Sequence, residues 1–313
     1  MCSQALGQID EEHAALVFKG LQWLAFATRP LYIEELSELS LVTGNHESRI
    51  NPAQRFSDPR DIVQLFPSSL VTTTNAEVGE SDSVDFQEQR QQVRLANSSV
   101  KEYLLSEEIQ TGSAKRYALS ETKAHASIAA DCLAYLLQFS QPYTMLTEVV
   151  QSSGLLRYAT NYWAVHARHA GADISGILPL IREFFESNVA YTNWTAFLDG
   201  FRPFDEPENA EGDSLAQSPD PIYYAASFGL LTIVQNLLHD GALVDSRGPA
   251  GTALAAASLA GDIDMVRLLV EHGADMDSEG PLGPPIRLGA QNGHSQVVEF
   301  LSSERRIRRT GTN

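Results

Sequence analysis

The sequence has few cysteines and few basic side chains for its length. Its 313 residues include two cysteines, Cys2 and Cys132, which are far apart and form no CxxC pair. Neither a disulfide framework nor a cysteine-based zinc site is therefore expected. Lysine and arginine together number 22 against 40 acidic residues, which gives a formal net charge of −18. A charge of that sign repels phosphate backbones and anionic membranes, so we expect neither nucleic acid nor a membrane as a partner.

Long apolar runs are also missing. The N-terminal stretch MCSQALGQIDEEH has no basic start and no apolar core, so no secretory signal is expected. No stretch reaches the roughly 18 apolar residues that a membrane-spanning helix needs. Hydrophobic residues nevertheless make up 43% of the chain, which is enough for packed cores. We therefore expect a folded, soluble protein in the cytoplasm.

The sequence lacks the short motifs of several common chemistries. It contains no GxSxG elbow, no HExxH, no EF-hand loop and no GxxxxGK[ST] phosphate-binding loop. The adjacent carboxylates Glu34 and Glu35 point apart on a helix, so they do not form an acid–base pair. Cys132 lies on an apolar helical face, where an inert core thiol is expected. We predict a protein that is not an enzyme, with no catalytic residue, no metal and no cofactor.

One stretch could still be a catalytic or metal site. RYATNYWAVHARHAGAD, at 157–173, combines two histidines with a tryptophan, tyrosines and arginines. On a helical wheel, His166 continues an apolar stripe, and His169 lies three residues beyond it. A metal site would need further ligands from elsewhere in the chain. We favour a packing seam, in which Trp163 and His166 are largely buried against neighbouring helices.

The C-terminal third contains a repeated segment. DPIYYAASFGLLTIVQNLLHDGALVD, TALAAASLAGDIDMVRLLVEHGADMD and PPIRLGAQNGHSQVVEFL begin at Asp220, Thr252 and Pro284, in equal steps. The first two predict a short helix that ends at a glycine, a second helix with an apolar stripe, and a polar turn. Such a unit exposes an apolar side that only a neighbouring unit can cover, so the segments should stack into a solenoid.

These segments resemble the ankyrin repeat, whose pattern is TPLHxAAxxGHxxVVxxLLxxGA. The third segment departs from it, with Gly289 in place of an alanine, two prolines at its start and no GA after Leu301. The resemblance implies about three stacked repeats that bind a protein partner through their turn tips and inner helix face. It gives seven candidate partner-binding residues: Tyr224, Ser227, Arg247, Leu259, Glu279, Leu288 and Gln291.

The first 110 residues predict three helices followed by a β-hairpin. The helices are expected at 10–27, in LYIEELSEL and at 57–67. The β-rich runs SSLVTT and QQVRLA flank a polar, acidic stretch, which predicts two strands joined by a long wing loop. This order is typical of a winged helix. A DNA-reading winged helix would carry basic residues on the wing, and this one is acidic.

Three pieces of this region carry a second resemblance. LQWLAFATRPLYIEELSEL, DIVQLFPSSLVTT and VRLANSSVKEYLLS resemble the winged-helix region that follows the NACHT nucleotide-binding domain in fungal NLR-like proteins. That region is also called the GPI inositol-deacylase-type winged helix. In the family a helical segment with YA…W…H spacing and then ankyrin repeats follow, an order that nearly the whole chain shows. Because the phosphate-binding loop is missing, NTPase activity is not carried over.

The predicted protein is mostly α-helical and has five parts. They are a winged-helix domain at 1–110, a helical bridge at 111–198, an acidic linker at 199–219, an α-solenoid of ankyrin repeats at 220–303 and a basic tail at 304–313. The resemblances imply a non-enzymatic adaptor or regulatory fragment of an NLR-like signalling protein, which binds a protein partner through its repeats. Two alternatives stay open: a winged-helix regulator that binds nucleic acid, and a remnant that functions only in association with the NACHT NTPase domain of a full-length relative.

Overall fold

The computed structural model describes residues 2–43, 49–75, 91–142, 152–198 and 220–310. The predicted wing loop and the predicted acidic linker at 199–219 lie largely or wholly outside these residues. The chain divides into two compact units, Met1–Asn209 and Ala210–Asn313, and each is described separately below. The molecule is mostly helical, as predicted.

The described part of the first unit contains helices and a small antiparallel sheet. The helices are α1 (Cys2–Leu6), α2 (Ala14–Phe26), α3 (Ile33–Ser37), α4 (Asp61–Gln64), α5 (Ser98–Leu105), α6 (Glu107–Thr111), α7 (Glu121–Leu137), α8 (Leu156–His169), α9 (Leu178–Glu186) and α10 (Asn188–Leu198). Short 3₁₀ turns cover Glu38–Ser40, Pro52–Gln54, Lys115–Tyr117 and Gly171–Gly176. The strands are β1 (Leu31–Tyr32), β2 (Val71–Asn75) and β3 (Gln91–Leu95).

The sheet has the strand order β1-β3-β2, and both pairings are antiparallel. Val71 pairs with Leu95, and Leu31 pairs with Val93. Val71 and Val93 are buried, whereas the four other residues of β2 are exposed, so the hairpin buries only its base against the helices. Along the chain, these helices and strands occur in the order α2, β1, α3, α4, β2, β3.

Helices α7 and α8 pack side by side and form the centre of the first unit. An aromatic cluster from α8, α9 and α10 covers one side of this pair, with neighbouring ring centroids 5.6–6.1 Å apart. Trp163 lies in this cluster and is 1% exposed, and His166 is 0% exposed. The predicted burial of both residues is confirmed. Close packing of so many large apolar rings is a strong source of hydrophobic stabilisation.

The described part of the second unit consists of three helix pairs and one short hairpin. The helices are α11 (Pro221–Ser227), α12 (Leu231–His239), α13 (Ala253–Ala260), α14 (Ile263–Glu271), α15 (Pro285–Gln291) and α16 (Ser295–Thr310), and the strands are β4 (Arg247–Gly248) and β5 (Gly251–Thr252). The first helix of each pair ends near a glycine with positive φ, 69° at Gly229, 74° at Gly261 and 76° at Gly293. That backbone conformation is easiest for glycine and lets the chain reverse tightly into the second helix.

The third helix pair differs from the first two at its end. Helices α12 and α14 each have 9 residues and are followed by glycines with positive φ, Gly241 and Gly273. Helix α16 has no such glycine at the matching position and continues for 16 residues. Most of the segment predicted as a basic tail therefore lies within the last helix of the solenoid.

Candidate protein-binding surface

Two loops project from the junctions between the helix pairs, and we call them the first finger (residues 247–252) and the second finger (residues 278–284). The first finger is the hairpin in which Arg247 pairs with Thr252. At its base, the Ser246 hydroxyl donates a hydrogen bond of 2.6 Å to the Asp220 carboxylate. At its tip, the Ala250 amide donates a hydrogen bond of 2.8 Å to the Tyr223 hydroxyl. Side chains of the preceding helix pair thus fix the shape of this finger.

Glycines allow the fingers to approach their neighbours closely. A Cβ atom at Gly248 would lie 2.3 Å from the Tyr223 ring, and one at Gly280 would lie 2.7 Å from the Gly251 Cα atom. Both distances are shorter than any ordinary contact, so a side chain at either position would push the loops apart. The two fingers therefore stack backbone against backbone at this point.

Hydrogen bonds between the two fingers align the second finger with the first. The Arg247 guanidinium donates to the Glu279 carbonyl oxygen (3.2 Å) and to the Ser278 hydroxyl (3.1 Å). The Asp275 amide donates to the Asp245 carboxylate, at 2.9 Å. Arg247 and Glu279, both predicted as partner-binding residues, are thereby brought together and both are exposed.

The other five predicted residues differ in accessibility. Gln291 is exposed, and Ser227 and Leu259 are half-buried. Tyr224 and Leu288 are buried within the described structure, and the Tyr224 ring stacks on Phe228. A partner could reach these two side chains only by displacing their neighbours. The accessible part of the predicted set is therefore Arg247, Glu279 and Gln291, with Ser227 and Leu259 at its margin.

Two large apolar side chains at the loops were missed by the sequence reasoning. Leu243, in the turn after α12, is 75% exposed, and Leu282, in the second finger, is 51% exposed. Their signal in the sequence is a leucine inside a segment otherwise made of small and polar turn residues, GALVDS and EGPLGPP. Exposed apolar side chains on projecting loops are the kind of residue that a protein partner buries.

Arginines of the predicted basic tail hold α16 against the preceding repeat. Arg305 donates to the Met276 carbonyl oxygen at 2.7 Å and pairs with the Asp277 carboxylate at 2.6 Å. Arg308 donates to the Val270 carbonyl oxygen at 3.1 Å, near the C-terminal end of α14. Met276 lies in the loop after α14, and the Val270 carbonyl, which also accepts from the Gly273 amide, lies at the negative end of the helix dipole, where a cation is favoured.

The histidine-rich stretch forms a buried hydrogen-bond chain in the first unit. The Thr28 amide donates to the Tyr158 hydroxyl (3.0 Å), which lies 2.8 Å from His166 Nε2. His166 Nδ1 lies 2.8 Å from Nδ1 of His125, on α7. If the Tyr158 hydroxyl donates to His166 Nε2, the proton of His166 sits on Nδ1 and is donated to His125. This assignment pairs the Tyr158 hydroxyl, both nitrogens of His166 and Nδ1 of His125 while both histidines are neutral.

Both histidines are kept neutral by their surroundings. Burial, together with the neighbouring histidines His125 and His169, lowers the pKa of His166 to about 3. Burial and His169 also lower the pKa of His125. Among the described residues, no group of three or more histidines, cysteines and carboxylates is arranged to hold a metal ion. The stretch is built as a packing seam with an internal hydrogen-bond chain.

Buried carboxylates in the first unit are paired with cations from other elements. Asp131 accepts hydrogen bonds of 3.0 Å from Lys19 and from the Trp23 indole. Glu38 pairs with Arg55 at 2.8 Å and accepts from the Tyr135 hydroxyl. Burial, with the Glu38 charge, raises the pKa of Tyr135 well above its usual range. Each pair is a structural cross-link that offsets the cost of burying a charge.

Among the helices in the described residues, none is both long enough and apolar enough to cross a bilayer.

Comparison with known proteins agrees with the geometry of the second unit. Residues 221–310 match the family model for ankyrin repeats in three copies, so the second unit is an ankyrin-repeat domain. Among curated proteins, the chain is similar to one from Monascus ruber that is named azaphilone pigments biosynthesis cluster protein L, with 27% identity over 271 residues. The match covers 82% of this chain and 55% of the relative, so the chain spans about half of that protein's length.

Proposed function

We propose that the chain is a non-enzymatic interaction module that binds a protein partner through the fingers of its ankyrin repeats. The observation that carries this proposal is the exposure of Arg247, Glu279 and Leu282 on fingers that glycine contacts and hydrogen bonds hold in place. Leu243, in the turn that leads into the first finger, is exposed as well. A rigid loop loses little conformational entropy on binding, and an apolar side chain beside charged ones gives both affinity and specificity.

We further propose that the first unit contains a winged helix of the NACHT-associated type and that the protein acts in NLR-like signalling in the cytoplasm. Support comes from the sequence resemblance and from the order of three short helices and a hairpin whose second strand also pairs with β1. On this proposal the winged helix and helical bridge have a structural and regulatory role. Association with the NTPase domain of a longer relative is part of the same proposal.

Nucleic-acid binding is the second candidate, and the charge of the chain argues against it. Arg55 and Arg60, which would lie on or next to the reading helix, form ion pairs with Glu38 and Asp58. A side chain already paired with a carboxylate gains less from a phosphate, and the net charge of −18 repels the duplex. We expect no mobility shift of duplex DNA at moderate salt. A salt-dependent shift would favour this candidate.

The relative's name suggests one setting in which a partner could be sought. That protein is named for an azaphilone pigment biosynthesis cluster, so the partner of this chain could be a protein of secondary metabolism rather than of signalling. The binding surface proposed above is the same in either setting.

The proposal is tested by affinity purification of the full chain from fungal extract with quantitative mass spectrometry. In a variant with Leu243→Ser, Leu282→Ser and Glu279→Arg, the amount of co-purified partner protein should fall by about tenfold or more. The reason is that three exposed side chains that would contact the partner are removed together. The matched control carries Leu105→Ser and Val189→Ser, at exposed apolar positions of the first unit. If this triple variant and the control retain the same proteins, neither the fingers nor the turn before the first finger is the binding surface.

A further inference from the structure

Two exposed leucines of the ankyrin-repeat domain lie on loops that are hydrogen-bonded to each other. Leu243 is 75% exposed and Leu282 is 51% exposed. The loop that follows Leu243 contacts the next one because the Asp275 amide donates to the Asp245 carboxylate at 2.9 Å. The hydrogen bonds of Arg247 join the first finger to the second finger, which carries Leu282. Exposed leucines on loops that fix each other's position form an apolar contact surface for a partner.

The same loops carry the negative charge of the ankyrin-repeat domain. Residues 220–310 contain eleven acidic and seven basic side chains, which gives a net charge of −4. Two segments, 240–252 and 272–284, contain five of these acidic side chains and one of the basic ones, which is also a net charge of −4. The rest of the range contains six of each sign and is balanced. We call these two segments the acidic loops.

Three carboxylates of the acidic loops are exposed, and among the described residues no cation pairs with them. They are Asp245, Asp275 and Glu279. The Asp245 carboxylate accepts from the Asp275 amide and the Asp275 carboxylate from the Asp277 amide, both at 2.9 Å, and these donors are uncharged. The Arg247 guanidinium donates to a hydroxyl and a carbonyl oxygen, so it does not neutralise a carboxylate directly. The leucines are therefore accompanied by negative charge that lacks a close counter-charge.

We propose that the acidic loops bind a segment of a partner protein in which a lysine or arginine stands next to a large apolar side chain. This inference rests on the function proposed above and adds the chemistry of the partner. The apolar side chain removes Leu243 and Leu282 from water, and the basic one supplies the counter-charge that the carboxylates lack. Exclusion of water by the apolar contact lowers the local dielectric constant and so strengthens the attraction between the charges.

The charge of the acidic loops disfavours other kinds of occupant. The phosphates of a nucleic acid or of an anionic membrane would meet carboxylates of the same sign. An acidic protein segment would be repelled in the same way. A wholly apolar segment would strip water from the carboxylates beside the leucines without offering them a cation, which costs free energy. A segment that combines basic and apolar side chains satisfies both features of the surface.

Selection from a random peptide library displayed on phage tests the proposal, with the full chain immobilised as the target. Peptides that the wild type retains should carry a lysine or arginine within a few residues of a large apolar residue, several-fold more often than the unselected library. The most frequent retained peptide is then synthesised with a fluorescein label. Fluorescence anisotropy gives its dissociation constant for the wild type and for each variant.

A charge-neutralised variant isolates the electrostatic part of binding. Asp245→Asn, Asp275→Asn and Glu279→Gln remove three charges and keep the oxygen acceptors that the amides of the loops need. Asp277 is left unchanged because it pairs with Arg305. The dissociation constant of the labelled peptide should rise by about tenfold, since exposed charge pairs each contribute modestly.

The matched control makes the same change of net charge outside the acidic loops. It carries Asp264→Asn, Glu271→Gln and Glu299→Gln, at three exposed carboxylates of α14 and α16. This variant should bind the labelled peptide as the wild type does. Circular dichroism checks that both variants keep their helix content.

A variant with Leu243→Ser and Leu282→Ser shows whether a retained peptide occupies the loops at all. Peptides that need the leucines but carry no excess of lysine and arginine would overturn the inference and leave the function proposed above intact. Equal binding to the charge-neutralised variant and to the wild type would do the same. If no retained peptide needs the leucines, both the inference and the proposed binding surface are wrong.

Discussion

At the residue scale, the distinctive feature of the first unit is the chain of contacts from Thr28 through Tyr158 and His166 to His125. It ties the end of α2 to α8 and α7 with hydrogen bonds of 2.8–3.0 Å. In a buried site each of these groups would be costly if it lost its partner. The sequence predicted that His166 is buried. It did not predict its partner, because His125 is 41 residues away and only the packing of α7 on α8 brings the two rings together.

The low pKa of His166 predicts a pH dependence of stability. The unfolded chain binds a proton at this residue with a pKa near 6.5, whereas the folded pKa is about 3. The folded state thus binds fewer protons between these values. The contribution of His166 is intact above about pH 6.5 and is lost progressively as the pH falls. Lowering the pH from about 7 to about 5 should remove about 2 kcal/mol through this residue.

Urea unfolding at these two pH values measures the effect in the first unit alone. The protein has three tryptophans, Trp23, Trp163 and Trp194, and all lie in this unit, so their fluorescence reports on it specifically. His166→Gln removes the titrating group and should reduce the difference in unfolding free energy between the two pH values by about 2 kcal/mol. An unchanged difference in the variant would contradict the assignment of a buried neutral His166.

At the element scale, the pattern of helices and strands was largely predictable because it depends on local signals. Apolar periodicity and turn glycines gave the repeat helices, and two β-rich runs gave the hairpin. The short strand β1 was missed, since its two residues form a strand only by pairing with β3. Which candidate residues are accessible was also not predictable. Tyr224 and Leu288 are buried by neighbouring side chains, and a helical wheel of one helix does not show where the side chains of other elements lie.

The arginines of α16 give a prediction at the same scale. Arg305 and Arg308 donate hydrogen bonds to carbonyl oxygens in the loop after α14 and at the end of α14, so their side chains should stabilise that region. The double variant Arg305→Ala, Arg308→Ala should destabilise the local structure by about 1–3 kcal/mol, the net value of two charged hydrogen bonds with an ion pair. Hydrogen exchange with mass spectrometry should then show faster exchange in peptides that cover 268–278 and α16. Unchanged exchange rates would contradict a stabilising role for these two arginines.

At the scale of the whole molecule, the chain combines a helical unit, whose core contains aromatic rings and buried polar groups, with an ankyrin-repeat domain that exposes its fingers. The buried carboxylates in the described part of the first unit are paired, and the buried His125 and His166 are hydrogen-bonded to each other. The fingers, in contrast, expose charged and apolar side chains together. This contrast is the basis for proposing that the repeats carry the binding activity.

Hydrogen exchange of the full chain with and without its purified protein partner tests this central claim most directly. Binding through the fingers should slow amide exchange in peptides that cover 243–252 and 275–284, because a bound partner excludes water from these loops and restricts their opening. Exchange in α7 and α8 should stay the same. Protection confined to the first unit, with the fingers unchanged, would contradict the claim.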